Sequence, residues 1–320
     1  MIPRLTRGEV LARLEAARDP VILIHVKPDG DAVGSAVALA RFFIGRGQAP
    51  SILCADPIPA RLSFLLRDLT LAPYCGREGR TVIAVDVASE GQLGPLAETF
   101  GADTPPDFSI DHHGRSAPIS PCYLRPRAAA TGEILADLLT ALRKPAPLTC
   151  PVATALFAAI SSDTGCFRFS NATGATHRVA ARLIDLGVDA GDVNHRLFES
   201  KTPAQLKAEA ATADRTVVTG DGRIAYAVLE RPLLDRYGEE YFETAIDIVR
   251  AVAGVTIAFT VKEQKNGDLR ISLRSTAADV AAVAAVHGGG GHARAAGCTF
   301  SRVAADDAVR TLVSELAPIA

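Results

Sequence analysis

The chain has 320 residues, of which 48% are hydrophobic and 22% are charged, and its formal net charge is −2. This composition is typical of an ordinary soluble globular protein with about two domains. A nearly neutral chain argues against a basic surface for long duplex nucleic acid, although a short nucleotide could still bind in a local basic pocket.

Cysteine usage and the N-terminus indicate a cellular compartment. The six cysteines form no C-x-x-C pair, and the first residues, MIPRLTRGEV, lack the apolar core of a signal peptide. We therefore expect a cytoplasmic protein with free, mostly buried thiols. No stretch is long and apolar enough to span a membrane, so we expect no membrane partner.

Strands and helices alternate along the first half of the chain. Apolar runs predict strands at Val21–Val26, Ser51–Cys54, Thr81–Asp86 and Phe108–Ile110. Helical segments are predicted at Glu9–Arg18, Val33–Arg46, Arg61–Leu66, Gly91–Thr99, Thr131–Leu142, Val152–Ile160 and Thr176–Leu186. This alternation predicts an α/β domain over residues 1–187, with a mainly parallel sheet flanked by helices.

The pattern changes in the second half. Residues 188–214 are polar with mostly helical propensity, and we interpret them as a linker. Residues 215–320 predict a smaller α+β domain. Its predicted elements are hairpins at Arg215–Leu229 and Thr256–Leu273, and helices at Tyr241–Ala253, Val280–Val286 and Asp306–Leu316.

Side chains that can bind metals follow the predicted strands. The first strand is followed by an H-x3-D-x-D pattern, the third ends in Asp, and the fourth runs into Asp-His-His; a further Asp follows a predicted helix. These residues are His25, Asp29, Asp31, Asp86, Asp111, His112, His113 and Asp163. Because ligand sites in open α/β sheets lie at the carboxyl ends of the strands, we group these residues in one site.

Several carboxylates at one edge would repel one another unless cations neutralised them. A pair of divalent ions would do so, and mixed carboxylate and imidazole ligands suit Mn²⁺, with Mg²⁺ or Co²⁺ as substitutes. Two such ions are an established arrangement for phosphoryl chemistry. The simpler interpretation of Asp31 is that it only caps the helix predicted from Val33.

The sequence GGGGHARAAG, from Gly288 to Gly297, indicates a second site. Consecutive glycines let backbone amides approach and bind an anion, and His292 and Arg294 add donors for phosphate. Arg274 and Ser275, at the end of a predicted hairpin strand, offer another cation and a hydroxyl. The alternative is a flexible loop whose polar side chains only face solvent.

These motifs together resemble the DHH phosphoesterase family. The signature triplet is Asp111-His112-His113, the first motif runs from His25 to Ser35, the second is Val85-Asp86, and the fourth is Ser162-Asp163-Thr164. The C-terminal domain looks like the DHH-associated domain, with Gly288–Gly297 as its hallmark. The two-domain layout is most similar to the nanoRNase and pAp-phosphatase branch, whose members degrade short RNA oligonucleotides and remove the 3′-phosphate of phosphoadenosine phosphate (pAp).

The resemblance implies a role for each residue. One Mn²⁺ would be held by His25, Asp29 and Asp86, and the other by Asp31, Asp86, His112 and Asp163, with Asp86 bridging. The implied catalytic residues are Asp86, His113, which would contact the scissile phosphate, and Asp111, which would orient the neighbouring His. The implied substrate-binding residues are Arg274, Ser275, Gly289, Gly290, Gly291, His292 and Arg294. His287 departs from the family, whose members often have an aromatic residue before the glycines.

The resemblance implies short RNA oligonucleotides and nucleotide 3′-phosphates as substrates, and a homodimer is compatible with it. Two alternatives remain open at this point. Within the same chemistry, the chain could be a linear or cyclic dinucleotide phosphodiesterase. In a different class, it could be a non-catalytic sensor that binds nucleotides.

Overall fold

The computed structural model describes residues 2–114, 117–142 and 148–320. The chain forms two compact units, with the boundary between Ser200 and Lys201. The boundary falls inside the predicted linker 188–214. Val193 belongs to the core of the first unit and Ala208 to a core of the second, so the linker contributes residues to both.

The first unit contains a five-stranded sheet in the order β2-β1-β3-β4-β5, and all neighbouring strands are parallel. The strands are β1 (Val21–Leu23), β2 (Ser51–Leu53), β3 (Val82–Val85), β4 (Phe108–Asp111) and β5 (Cys122–Leu124). The predicted α/β class and parallel sheet are therefore confirmed. The sequence pattern does not predict strand β5, and β1 ends three residues earlier than expected.

The helices of the first unit are α1 (Arg7–Ala16), α2 (Gly30–Ile44), α3 (Ala97–Phe100), α4 (Thr131–Ala141), α5 (Cys150–Asp163), α6 (Gly174–Asp185) and α7 (Ala190–Asn194). Short 3₁₀ segments lie at Ala60–Leu66 and Glu90–Leu96, and a π-helical turn lies at His195–Glu199. Two boundaries differ from the prediction in a way that matters for the site. Helix α2 begins at Gly30 rather than Val33, and α5 continues to Asp163.

Helices α2 and α5 pack very closely. A Cβ atom at Gly34 of α2 would lie 2.6 Å from the carbonyl oxygen of Ala155 on α5. Only glycine therefore allows this approach without a shift of the helices. As a result, the first turn of α2, with Asp31, comes close to the last turn of α5, with Asp163.

The second unit contains a six-stranded sheet in the order β10-β11-β9-β8-β7-β6. Its strands are β6 (Thr216–Val218), β7 (Ile224–Leu229), β8 (Ile257–Glu263), β9 (Leu269–Ser275), β10 (Gly290–His292) and β11 (Ala295–Phe300). All neighbours are antiparallel except β7 and β8. Both predicted hairpins are confirmed, as β6–β7 and β8–β9.

The helices of the second unit are α8 (Pro203–Asp214), α9 (Arg231–Tyr237), α10 (Ala245–Val249), α11 (Val280–Val286) and α12 (Ala305–Leu316). The predicted helix Tyr241–Ala253 is wrong over most of its length, because only α10 is α-helical and a 3₁₀ segment, Glu239–Phe242, precedes it. Among the described residues of both units, no helix is long and apolar enough to cross a membrane.

Candidate metal centre

The loop between β1 and α2 supplies His25 and Asp29. Asp29 is the N-cap of α2, and its Oδ1 accepts hydrogen bonds from two backbone amides of the first turn, both at 3.0 Å. Nδ1 of His25 lies 2.8 Å from the carbonyl oxygen of Val26. The other ring nitrogen, Nε2, lies 3.8 Å from Oδ1 of Asp29 and 3.6 Å from Oδ2 of Asp86.

Asp86, directly after β3, lies between the histidines. While its Oδ2 is close to His25, its Oδ1 lies 3.7 Å from Nε2 of His112 and 3.6 Å from Nδ1 of His113. The Thr131 hydroxyl donates a hydrogen bond to this Oδ1 at 3.0 Å. Asp86 has a φ of 59°, a left-handed conformation that is unusual outside glycine and occurs often at functional sites.

Asp31 is fully buried in the first turn of α2. Its Oδ1 accepts hydrogen bonds from the Ser35 hydroxyl at 3.0 Å and the Gly132 amide at 2.9 Å, and its Oδ2 accepts one from the Thr131 amide at 2.6 Å. The N-terminus of α4 thus holds this carboxylate in place, as expected from the positive end of a helix dipole. Oδ2 also lies 3.8 Å from Nε2 of His112.

The triplet Asp111-His112-His113 lies at the end of β4. Asp111 is fully buried, and its Oδ1 lies 2.7 Å from Nδ1 of His113 and accepts hydrogen bonds from the amides of both histidines. Nδ1 of His112 lies 3.2 Å from the carbonyl oxygen of Ala128. Each imidazole is therefore fixed through Nδ1, and Nε2 is the atom that can coordinate or donate.

Asp163 is the last residue of α5, and its Oδ2 lies 3.2 Å from Nε2 of His112. The side-chain amide of Asn171 supports this corner of the site, because it donates hydrogen bonds to the carbonyl oxygens of Asp163 and Ala129, both at 3.1 Å. The loop after α5 is thereby tied to the segment that leads into α4.

Three groups of ligand atoms each lie within 4.8 Å of one another, and together they contain every residue predicted to bind metal. They are His25, Asp29 and Asp86; Asp31, His112 and Asp163; and Asp86, His112 and His113. Asp86 belongs to two groups and joins them, and so does His112. The structure thus brings together residues from four separate segments of the sequence.

The charges in this cluster shift the pKa values of its imidazoles. Burial by itself lowers the pKa of His25, but hydrogen bonds to Asp29 and Asp86 outweigh burial and raise it to about 11. Burial likewise lowers the pKa of His112, and its hydrogen bond to Asp163 raises the value to about 11. Without a metal ion, both rings are therefore positively charged near neutral pH.

The buried carboxylates Asp31 and Asp163 have higher pKa values than an ordinary exposed Asp. Burial, together with the charges of Asp86 and Asp163, holds the pKa of Asp31 well above its usual value. Burial also raises the pKa of Asp163 to about 6, against the opposing contact with His112. The site therefore has an excess of negative charge that needs a proton or a cation.

These residues fit a divalent cation. Carboxylate oxygens and imidazole nitrogens are the donors of the cluster, and such a mixed set suits hard or borderline divalent metals. Several of the groups are already fixed by hydrogen bonds through their other atoms, which is the usual arrangement around metal ligands. This sheet edge therefore carries a set of side chains that could hold a divalent metal.

In the second unit, the glycine-rich sequence is a tight β-hairpin rather than an open loop. Gly290–His292 forms β10 and pairs with Ala295–Gly297 of β11. A Cβ atom at Gly289 would lie 2.1 Å from the Gly297 carbonyl oxygen, and Gly291 has a φ of 137°. Hairpin geometry alone thus requires these two glycines, whether or not an anion binds there.

The polar residues predicted to bind substrate lie around this hairpin. His292 and Arg274 lie on either side of Ala295 in the register of β10, β11 and β9, and Arg294 is exposed in the turn. The Ser275 hydroxyl oxygen accepts two backbone hydrogen bonds from the following turn, which gives it a local structural task. Nε2 of His287 lies 2.8 Å from Oε2 of Glu315, so His287 is engaged within its own unit.

Sequence reasoning gave Thr131 and Ser35 no role in positioning the candidate ligands. Their types are common at helix ends and turns, so the sequence carries no specific signal for them. The one available hint is Thr131-Gly132, which comes just where the predicted helix Thr131–Leu142 begins. A small hydroxyl residue there can present both its amide and its side chain to an anion.

The fold and the site define a class of protein, an enzyme built on a parallel α/β sheet with side chains that could hold metal at the sheet edge, and comparison with known proteins agrees with this class. Residues 20–160 match the N-terminal domain of the DHH family, and residues 224–317 match the DHHA1 domain. The chain belongs to the DHH family of phosphoesterases and is a phosphoric ester hydrolase.

Among its relatives is a Thermus thermophilus protein named bifunctional oligoribonuclease and PAP phosphatase NrnA. It is 30% identical over 301 residues, which cover 92% of this chain and 88% of the relative. The cyclic-di-AMP phosphodiesterase GdpP of Geobacillus thermodenitrificans is 26% identical over 95% of this chain, but the match covers only 48% of GdpP.

A solved structure has the same fold over nearly the whole chain. It is an exopolyphosphatase-related protein from Bacteroides fragilis, with a TM-score of 0.87, 20% sequence identity, and coverage of 98% of this chain and 96% of that one. At this level of identity, the likeness concerns the fold alone.

Proposed function

We propose that this protein is a Mn²⁺-dependent, two-metal phosphoesterase that hydrolyses short RNA oligonucleotides and removes the 3′-phosphate of pAp. The observation that supports this most is the grouping of six Asp and His side chains around Asp86, in the order that the family motifs imply. The similarity to the Thermus NrnA protein along most of both chains supports the substrate class.

In this proposal, His25, Asp29 and Asp86 hold one ion, and Asp31, Asp86, His112 and Asp163 hold the other. Bound divalent ions would supply Lewis acidity toward the phosphoryl group and an activated water nucleophile. The protein supplies the fixed positions of the ligands. The hydrogen bonds of Asp31 and the N-cap of Asp29 keep both carboxylates in place before any ion binds.

His113 and Asp111 act on the substrate side of the centre. Nδ1 of His113 lies 2.7 Å from Oδ1 of the fully buried Asp111, which orients the ring. The Asp111 carboxylate also raises the pKa of His113 against the effect of burial, and the protonated ring would donate from Nε2 to the scissile phosphate. In the second unit, Arg274, His292 and Arg294 are the cations and donors that would bind a second phosphate of the substrate.

The test is a time course of products from 5′-labelled RNAs of two to ten nucleotides, with pAp assayed in parallel and Mn²⁺ present. We expect turnover of pAp and of the short RNAs, and slower turnover of the longest. The Asp86→Asn variant should lose this activity, whereas Asp185→Asn, an exposed carboxylate on α6, should keep it. Failure of the wild-type protein to hydrolyse any of these substrates would contradict the proposal.

A second candidate is a linear or cyclic dinucleotide phosphodiesterase. The match to GdpP over 95% of this chain favours it. Cyclic di-AMP and the linear dinucleotides therefore belong in the same assay. A kcat/KM for cyclic di-AMP above those for pAp and short RNA would select this candidate instead.

A further inference from the structure

One face of the second sheet is covered by helices over only part of its width. The other face is covered by α11 and α12, and alternate residues of β9 and β11 are buried there, as shown by Ile271, Leu273 and Cys298. On the opposite face, α8, α9 and α10 cover β7 and β8, where Ala227 and Ala258 are buried. The remaining part of that face, on β9, β11 and β10, is half-buried or exposed.

We call this part the open face. It consists of the residues on β9, β11 and β10 that alternate with the buried ones: Arg270, Ser272, Arg274, Ala295, Gly297, Thr299, Gly290 and His292. The set contains two arginines and a histidine but no acidic residue. The other residues of the open face have small side chains or none, so a flat or extended molecule can lie directly against the strands.

The register places the cations in separate rows. Arg274 shares a row with Ala295 and His292, whereas Arg270 shares a row with Thr299. Between them runs a row of Ser272 and glycines. Arg270 and Arg274 are four residue steps apart along one strand, which corresponds to about 13 Å. A single phosphate cannot contact both arginines, but a short oligonucleotide, which has several phosphates, can.

Arg270 is exposed, and its side chain forms no hydrogen bond or ion pair with any residue in the part of the chain that the structure describes. Directly opposite it on β8 is Lys262, so two positive charges face each other across the strands. Like charges in this position are unfavourable. Glu239, whose pKa is lowered chiefly by Arg231 and further by Lys262, is a counter-charge for Lys262.

We propose that Arg270 binds a phosphate of the nucleotide chain beyond the one bound at Arg274, and that it thereby sets a preference for oligonucleotides over pAp. The proposal rests on the proposed function. The charges favour a phosphodiester backbone as the ligand, because the open face carries cations spaced along one strand. Its other residues are small and offer little apolar surface to an apolar partner. Arg270 acts on binding and takes no part in the chemical step.

The experiment compares wild type, Arg270→Gln and Arg270→Lys. Binding of a fluorescently labelled pentanucleotide RNA and of pAp is measured by anisotropy and competition in the presence of a chelator, over a range of salt concentrations. We expect Arg270→Gln to weaken pentanucleotide binding about 5- to 10-fold and to reduce its salt slope by about 0.7. Binding of pAp should not change, and Arg270→Lys should keep the salt slope.

The matched control is Arg310→Gln. Arg310 lies on α12, which packs against the other face of the sheet, and it is paired with Asp307. An equal loss of pentanucleotide affinity in both variants would mean that only net charge matters and would overturn the proposal. Unchanged pentanucleotide binding in Arg270→Gln, or an equal loss for pAp and RNA, would overturn it too.

Turnover separates this inference from the proposed function. If wild type hydrolyses neither RNA nor pAp, the proposed function fails. If wild type hydrolyses both, and the ratio of kcat/KM for pentanucleotide over pAp is the same in Arg270→Gln, only the role of Arg270 fails.

Discussion

The hydroxyl of Thr131 donates a hydrogen bond to Oδ1 of Asp86, while the backbone amide of the same residue donates one to Oδ2 of Asp31. A single residue at the start of α4 thus fixes two carboxylates from different segments, one directly after β3 and one in the first turn of α2. Removal of the hydroxyl should loosen Asp86 and leave the fold intact.

We expect Thr131→Val to weaken Mn²⁺ binding by about 10- to 100-fold, the usual cost of losing a partner behind a metal ligand. Isothermal titration calorimetry on the metal-free protein measures this directly. Thr131→Ser should restore most of the affinity. Thr140→Val is the matched control, because the Thr140 hydroxyl, on the same helix, donates only to the carbonyl oxygen of Ala136. Equal affinities of the Val and Ser variants at position 131 would contradict this role.

The metal-free protein should become less stable as the pH rises. The pKa of His25 and that of His112 are each raised from 6.5 to about 11 in the folded chain. A group that binds its proton more tightly when folded stabilises the fold below its unfolded pKa, and this stability is lost as the pH rises toward the folded value. The free energy of unfolding should therefore fall from about pH 6.5 toward pH 11.

Urea unfolding in the presence of a chelator measures this dependence. Saturating Mn²⁺ should make the curve flatter or reverse it, because neutral imidazoles bind the ion. A metal-free protein whose stability rises over that same pH range would contradict the pKa shifts of the two histidines.

Gly34→Ala should destabilise the protein by about 1 to 3 kcal/mol, because the new methyl group would overlap the backbone of α5. The contact in question is the 2.6 Å distance to the carbonyl oxygen of Ala155. Gly8→Ala is the matched control: Gly8 lies in α1, and a Cβ atom added there would meet no other atom within 4 Å. That variant should gain about 0.5 to 1 kcal/mol from helix propensity. Denaturant unfolding gives the free energy of unfolding of both variants. The comparison separates the steric effect of the added methyl group from its effect on helix propensity.

Asp111→Asn should lower kcat by about 10- to 100-fold and change KM little, because Asp111 fixes His113 without contact with the substrate. The amide can still accept a hydrogen bond but no longer carries the charge that faces Nδ1. Steady-state kinetics on pAp provide the measurement, and calorimetry with Mn²⁺ tests whether the metal centre is intact. An unchanged kcat would show that His113 needs no such partner.

Most of the candidate site can be predicted from the sequence, because its residues are chemically distinctive and all but Asp163 lie at the end of a strand or in the loop or helix turn that follows one. The physical limits of such prediction are visible at particular residues. Strand β5 has three residues, too few for a clear apolar pattern. Asp29, not Asp31, is the N-cap of α2, a distinction that depends on where the helix begins.

Tertiary contacts account for the remaining features of the site that the sequence does not predict. The roles of Thr131 and Ser35 arise from the approach of α2 and α4, which propensity does not describe. The consecutive glycines predict an anion-binding loop, yet the hairpin requires those at 289 and 291 for steric reasons. In the sequence, Arg270 is only one residue of a predicted hairpin strand, and its place on the open face depends on which part of that face lacks a helix.

All six cysteines are free thiols, so the chain has no disulfide cross-link, but only Cys122 and Cys298 are buried, and the expectation of mostly buried thiols is wrong. A cation held by Asp31 and Asp163 would join the first turn of α2 to the last turn of α5, two segments far apart in the sequence. Such a cation would link two distant segments of the chain, as a disulfide does, but a chelator could remove it. Metal binding would therefore stabilise the contact between α2 and α5, and removal of the metal would weaken that contact.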